Sequence, residues 1–225
     1  MIQRTVLALC GATLLSLPSM ADKPPACEGA ETTLDIRSNA PPRSDHQEVI
    51  TMQGTFDRMD AGYTLTLKSK SNGAVRKSLK WQSDWSCEGY SPERKVYVLI
   101  GQSASEVGGR YDGFISQLSE DGTARELDLL KTGHFAQQSV VSPDRRYVAF
   151  LANKRPTDKP ADRVSVVDLA TLEIRDVGTG KRFRDLKFTG PAQLEAAVGA
   201  TGKHQSVSWD LKSVFAPPPP ITKSR

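Results

Sequence analysis

Ser142-Pro143-Asp144-Arg145-Arg146-Tyr147-Val148-Ala149-Phe150 decides the fold, because Ser91-Pro92-Glu93-Arg94-Lys95-Val96-Tyr97-Val98-Leu99 stands 51 residues before it. Each copy joins a turn, marked by Ser-Pro and an acidic residue, to an apolar run rich in aromatic and β-branched side chains. Such runs favour strands. Repetition at this period marks stacked modules. A module that cannot bury its apolar face alone packs against its copies.

A second marker extends the repeat outward. Leu67, Leu118, Leu169 and Leu211 follow one another at intervals of 51, 51 and 42 residues, which implies four copies. Each ends an apolar or alternating stretch: Tyr63 to Leu67, Phe114 to Leu118, Val164 to Val167, and Val207 with Trp209. These read as strands. Asn72-Gly73 and Asp121-Gly122 follow the first two, and both are strong hairpin signals because a positive φ costs little there. Upstream, Val96 to Ile100 and Tyr147 to Leu151 are continuous apolar runs, the pattern of strands buried on both faces. Val49 to Phe56 and Leu194 to Val198 are predicted as their counterparts. Ala124 to Lys131 and Gln193 to Ala200 also fit a helical pattern, but both fall where the repeat requires a strand.

The turn and strand at Ser142 to Phe150, followed by Val164-Ser165-Val166-Val167-Asp168-Leu169-Ala170-Thr171, resemble the repeat of TolB-type and related WD40-like β-propellers. That repeat runs S-P-D-G-x-x-I-A-F, a loop, then D-L-x-T-G. Residues 136–180 match it well and 86–133 moderately, while the flanking copies match poorly. Arg145 stands in place of the turn glycine, Leu172 in place of the glycine after Thr171, and Glu93 in place of the aspartate. The resemblance implies an all-β chain of repeated antiparallel β-meander blades, a small four-bladed or partial β-propeller over 47–215. A β-sandwich of the same hairpins is the alternative. Four blades are few, so a minimal ring, an open arc and half a ring completed by a second copy, hence a homodimer, all remain open. The motif carries no catalytic residue, so it speaks to fold more than to function.

The ends give an address. Met1 to Arg4 is basic, Thr5 to Leu17 apolar, and Ser19 and Ala21 are small, which predicts a signal peptide over 1–21 cleaved after Ala21. The apolar run is shorter than the roughly 20 residues a membrane span takes. The predicted location is the periplasm, with the extracellular space as the variant. Cys10 leaves with the signal, and the remaining pair, Cys27 and Cys87, predicts one disulfide in an oxidising compartment. Residues 22–46 read as a Pro-rich N-terminal arm and 216–225 as a disordered Pro-rich tail. The chain carries a net charge of +4, and loss of Arg4 leaves +3. Export and this even balance both argue against nucleic acid. Arg175, Lys181, Arg182, Arg184 and Lys187 form a basic group that suits anionic envelope components, although Asp176 and Asp185 break it into an ordinary solvated face.

Binding is predicted on the segments joining the two recognised strands of each copy: Asp57 to Gly62, Gln102 to Gly113, Asn153 to Arg163 and Gly199 to Gln205. Connections at equivalent repeat positions project from one face. The two longest carry Arg110, Tyr111 and Asp112, and Lys154, Arg155, Lys159 and Arg163. Arginine and tyrosine suit recognition because each offers directional contacts and a flat surface.

Catalytic signals are sparse. His46, His134 and His204 lack zinc-ligand spacing and read as surface residues; no metal or cofactor is expected. Gly101-Gln102-Ser103-Ala104-Ser105 lacks the last glycine of a nucleophile elbow. Glu120 with Asp121, or Asp57 with Asp60, offers carboxylates of the kind glycoside hydrolysis uses, but turns explain them. Trp81 and Trp85 beside Cys87 read as core packing around the disulfide rather than as a sugar platform. The function expected is therefore a non-enzymatic interaction protein that binds a periplasmic or envelope protein through its loops. An inhibitor or immunity protein against a secreted hydrolase, and a glycan-acting hydrolase, are the alternatives.

Overall fold

A computed structural model describes residues 27–39, 62–81, 84–104, 110–153, 161–200 and 203–217. The predicted signal peptide, the Val49 to Phe56 strand, most of the tail, and Lys154, Arg155 and Lys159 lie outside the described residues. Among the described residues fifteen strands and one short helix follow in order. The first unit holds β1 (Cys27–Glu28), β2 (Thr32–Ser38), β3 (Tyr63–Ser69) and β4 (Val75–Trp81). The second holds β5 (Asp84–Ser91), β6 (Val96–Ala104), β7 (Arg110–Ser119) and β8 (Ala124–Asp128). The third holds β9 (Phe135–Val141), β10 (Tyr147–Asn153), β11 (Arg163–Asp168) and β12 (Glu173–Thr179). The fourth has β13 (Phe183–Phe188), β14 (Gln193–Ala200) and β15 (Lys203–Asp210), then α1 (Leu211–Val214). Each unit is an antiparallel meander. Units two and three merge into one eight-stranded sheet only through a single pair, Asp112 with Ala136.

Both segments that fitted a helix, Ala124 to Lys131 and Gln193 to Ala200, contribute strands. One expectation is overturned. Residues 22–46 are not simply an arm, because β1 and β2 lie inside them and the repeat body starts at Cys27. Leu34 pairs with Leu67 and Ile36 with Leu65, so β2 occupies the place expected for Val49 to Phe56.

The meanders stack as blades through three successive cores. Leu34, Leu65 and Leu67 of the first blade meet Trp85, Tyr97, Leu99 and Leu118 of the second. Val98, Ile100 and Ile115 then meet Val148, Phe150 and Val167. Tyr147, Ala149, Leu151, Val164 and Val166 meet Phe183, Leu186, Leu194 and Leu211. Successive strand residues point to opposite faces, so β6 and β10 each feed two cores, and that requires unbroken apolar runs. Two sheets sharing one core would make a sandwich; three serial cores make a stack of blades.

Among the described residues, no core joins the fourth blade to the first. Their terminal faces are polar. Thr64, Thr66 and Lys68 alternate with the buried Leu65, Leu67 and Ser69 on β3. Asp35 pairs with Arg37 at 2.8 Å and Lys68 at 3.4 Å, and the Arg37 hydrogen bond draws its carboxyl below the ordinary aspartate value. On the fourth blade Lys187 pairs with Glu195 at 3.4 Å. These faces suit water and offer no apolar surface for closing a ring on a second copy.

Candidate binding face

One end of the blades is closed by tight, fully tied turns. The Ser142 hydroxyl donates to Asp144 at 2.6 Å and accepts the Arg146 and Tyr147 N–H groups at 3.1 and 2.9 Å. Arg145 adopts φ 60°, and one position later in the second blade Lys95 adopts φ 53°. Glycine would take this conformation more cheaply. Arg145 stays there because its guanidinium donates to the carbonyls of Ser142 and Pro143 and lies over Gly89, whose hydrogen leaves it room. Leu172, in the other expected glycine position, has φ 62° and packs on the second core.

The turn end also wires blade to blade. Arg94 donates to Gln117 at 2.9 Å and to the Arg145 carbonyl, and Gln117 donates to the Leu169 carbonyl at 2.6 Å. Arg146 pairs with Asp168 at 3.0 Å. Glu120 reaches the first blade, where its Oε1 accepts from the Glu31 N–H at 2.8 Å and the Thr32 hydroxyl at 3.1 Å. Burial pushes this carboxyl up, but those hydrogen bonds outweigh it and hold the group below the ordinary glutamate value. Beside it, the fully buried Tyr97 hydroxyl donates to the Thr32 carbonyl at 2.7 Å. Glu120 therefore acts as a fastener, and its neighbour Asp121 accepts the Thr123 N–H at 2.8 Å within the turn. Gly73 and Gly122 close the hairpins at φ 70° and 86°.

The opposite end receives the long connections. β2 and β3, β6 and β7, and β10 and β11 are joined there by the longer connections, and β14 and β15 by residues 201–202 alone. The predicted segment Gly199 to Gln205 is therefore mostly strand: Gly199 and Ala200 close β14 and Lys203 to Gln205 open β15. The predicted residues divide into groups. Arg110, Tyr111 and Asp112 form the start of β7 rather than a loop, with Arg110 paired to Ala104. The Tyr111 ring meets Phe135 edge-on at 5.6 Å. Burial pushes the Asp112 carboxyl up, opposed by the Ser139 side chain and reinforced by the charge of Glu88. Arg163 opens β11 with its side chain 14% exposed and pairs with Asp176 at 3.3 Å. Tyr111, Asp112 and Arg163 thus sit in strands at the rim.

His134 is where the sequence reading fails. Expected at the surface, it is 6% exposed. Its Nε2 lies 3.2 Å from Asp176, its Nδ1 2.9 Å from the Thr132 hydroxyl, and its ring meets Phe150 edge-on at 5.7 Å. Asp176 also accepts from the Ser165 hydroxyl at 2.6 Å. Here the carboxylate lies between serine and histidine, so the imidazole does not activate Ser165. Thr132 donates to the Leu129 carbonyl at 2.7 Å. The cluster ties the second blade's exit to β11 and β12. Only the turn glycine Gly133 hinted at it, since Asp176 lies 42 residues away.

The aromatic cluster matches the core reading. Trp85 is 6% exposed, Trp81 lies 4.3 Å from it and Phe114 6.2 Å, centroid to centroid, and a side chain on Gly101 would meet its ring at 2.8 Å. Cys27 and Cys87 form a disulfide across 6.1 Å between Cα atoms. The basic group is partly neutralised, with Arg175 on Glu173 at 2.6 Å. Among the described residues no three His, Cys, Asp or Glu side chains gather as metal ligands, and no helix is long and apolar enough to cross a membrane.

No family model and no curated protein matches the chain. Three solved structures resemble it at 10 to 16% identity. A tricorn protease structure gives TM-score 0.43 at 12% identity, covering 77% of this chain and 15% of that one. TolB from Acinetobacter baumannii gives 0.36 at 16%, covering 66% and 35%. The Cps50 (Swd1) β-propeller domain of Myceliophteria thermophila gives 0.35 at 10%, covering 66% and 52%. The chain spans 15, 35 and 52% of the length of these structures, and its blade architecture rests on its own strand order, register and cores.

Proposed function

We propose that the mature chain is an exported, periplasmic, non-enzymatic scaffold that binds another protein or envelope component through the end carrying its long connections. One observation carries this reading: the two ends of the blades are unlike. The turn end spends its serines, arginines and carboxylates on its own backbone and on neighbouring blades. The other end receives four variable-length segments between fixed strands, the arrangement in which a rigid scaffold presents contact residues. Lys154, Arg155 and Lys159 are the proposed contacts. Arg163 is withdrawn from that set because it is paired with Asp176.

Affinity capture of Asp22 to Arg225 from an envelope extract of its host, identified by mass spectrometry, tests the proposal. Capture is repeated with Lys154, Arg155 and Lys159 changed to Ser. Loss of a specific partner in the altered form supports it. A partner retained unchanged, or no partner, contradicts it.

A further inference from the structure

Among the described residues the fourth blade is one strand short. The other three end in a fourth strand, β4, β8 or β12, whereas the fourth blade stops at β15. Among the described residues nothing pairs with the outer edge of β15. An exposed edge is a template for another strand unless charge, proline, a bulge or brevity blunts it.

The other outer edges carry such devices. β4 holds Arg76, Lys77 and Lys80. β8 has only five residues, with Arg125, Glu126 and Asp128 among them. β12 holds Glu173, Arg175 and Asp176, its pairing with β11 shifts register, and Arg175 donates to the carbonyl of Val214, the last residue of α1. β15 lacks them all. It has eight residues, pairs with β14 at all eight without a shift, and holds no proline and no charge from Gln205 to Trp209. The chain that follows does not suit the edge either, because Pro217 to Pro220 have no N–H to give a ladder.

The sequence of β15 fits its own copy. Its start, Lys203-His204, is basic and its end, Asp210, is acidic, so antiparallel pairing brings opposite ends together. A two-fold axis perpendicular to the sheet keeps each face on its own side, so a residue must pair with one of the same face. Centred on Val207, the register sets Val207 opposite the partner's Val207. Ser206 then faces the partner's Ser208, and His204 the partner's Asp210. β-branched and hydroxyl pairs of this kind favour pairing. We propose that a second copy of this chain docks edge to edge along β15 and joins the two fourth blades into one six-stranded sheet.

Sedimentation of Asp22 to Arg225 over a wide concentration range tests this. Ser206 and Ser208 are exposed, so their replacement leaves the fold intact, as an unchanged circular-dichroism spectrum will verify. The expected result is a dimer for the native chain and a monomer for Ser206→Lys with Ser208→Lys, which sets like charges opposite each other twice. Ser206→Glu with Ser208→Lys sets opposite charges there and remains a dimer. A native chain that stays monomeric overturns the proposal. So does a dimer that survives the double lysine change.

Discussion

β10 and β3 are both seven-residue strands of the same repeat, yet β10 is buried at every position while β3 is buried at alternate ones. Their residues differ accordingly: Tyr-Val-Ala-Phe-Leu-Ala-Asn against Tyr-Thr-Leu-Thr-Leu-Lys-Ser. The difference is one of place in the stack. A middle blade has a neighbour on each face and needs apolar residues on both; a terminal blade has one neighbour and turns threonine and lysine to water. The hydrophobic pattern therefore records whether a blade is inner or outer. It also indicates that the first and fourth blades end the stack.

Changes across that contrast should rank in order. Phe150→Ala empties a fully buried position in the core between blades two and three. It should cost about 3–5 kcal/mol in urea denaturation, and a cost under about 1 kcal/mol would place Phe150 outside a packed core. Replacing Cys27 and Cys87 by Ser frees the first blade from the second and should cost about 2–4 kcal/mol, with the early loss appearing in β1 to β4.

Glu120→Gln weakens the other tie between these blades and should cost about 1–3 kcal/mol. Its pH signature is specific. The folded value lies below the unfolded one, so the contribution is complete above about pH 4.3 and is lost as pH falls through the folded value. Native stability should therefore decline more steeply with acid than that of the variant; parallel pH profiles would remove Glu120 from this role. Thr66→Val on the open face of the first blade should change stability by less than about 0.5 kcal/mol. A large gain there would mean that another apolar surface covers this face.

The same contrast explains what could be read in advance. Strands that feed two cores, β6 and β10, and those ending in the leucine markers, β3, β7, β11 and β15, declare themselves by composition. The first strands of the later blades, β5, β9 and β13, do not, because polar residues interrupt their apolar ones, as Gln137 and Gln138 do in β9. β2 was hidden for the same reason: in Thr32 to Ser38 only Leu34 and Ile36 are strongly apolar, and prolines stand close on both sides in sequence. At the candidate face, the segments were legible from the repeat, but the state of each side chain was not. Arg163 and His134 are held by Asp176 on another strand, a pairing that no local spacing reveals.

Hydrogen exchange of the mature chain, read strand by strand, tests the open stack most directly. Amides of β6 and β10 should exchange only through global unfolding, while those of β3, which is paired on both sides but lies in a blade with one neighbour, should exchange orders of magnitude faster through opening of the first blade alone. Equal protection along β3 and β6 would contradict the account, because it would require the first blade to be covered as the middle ones are.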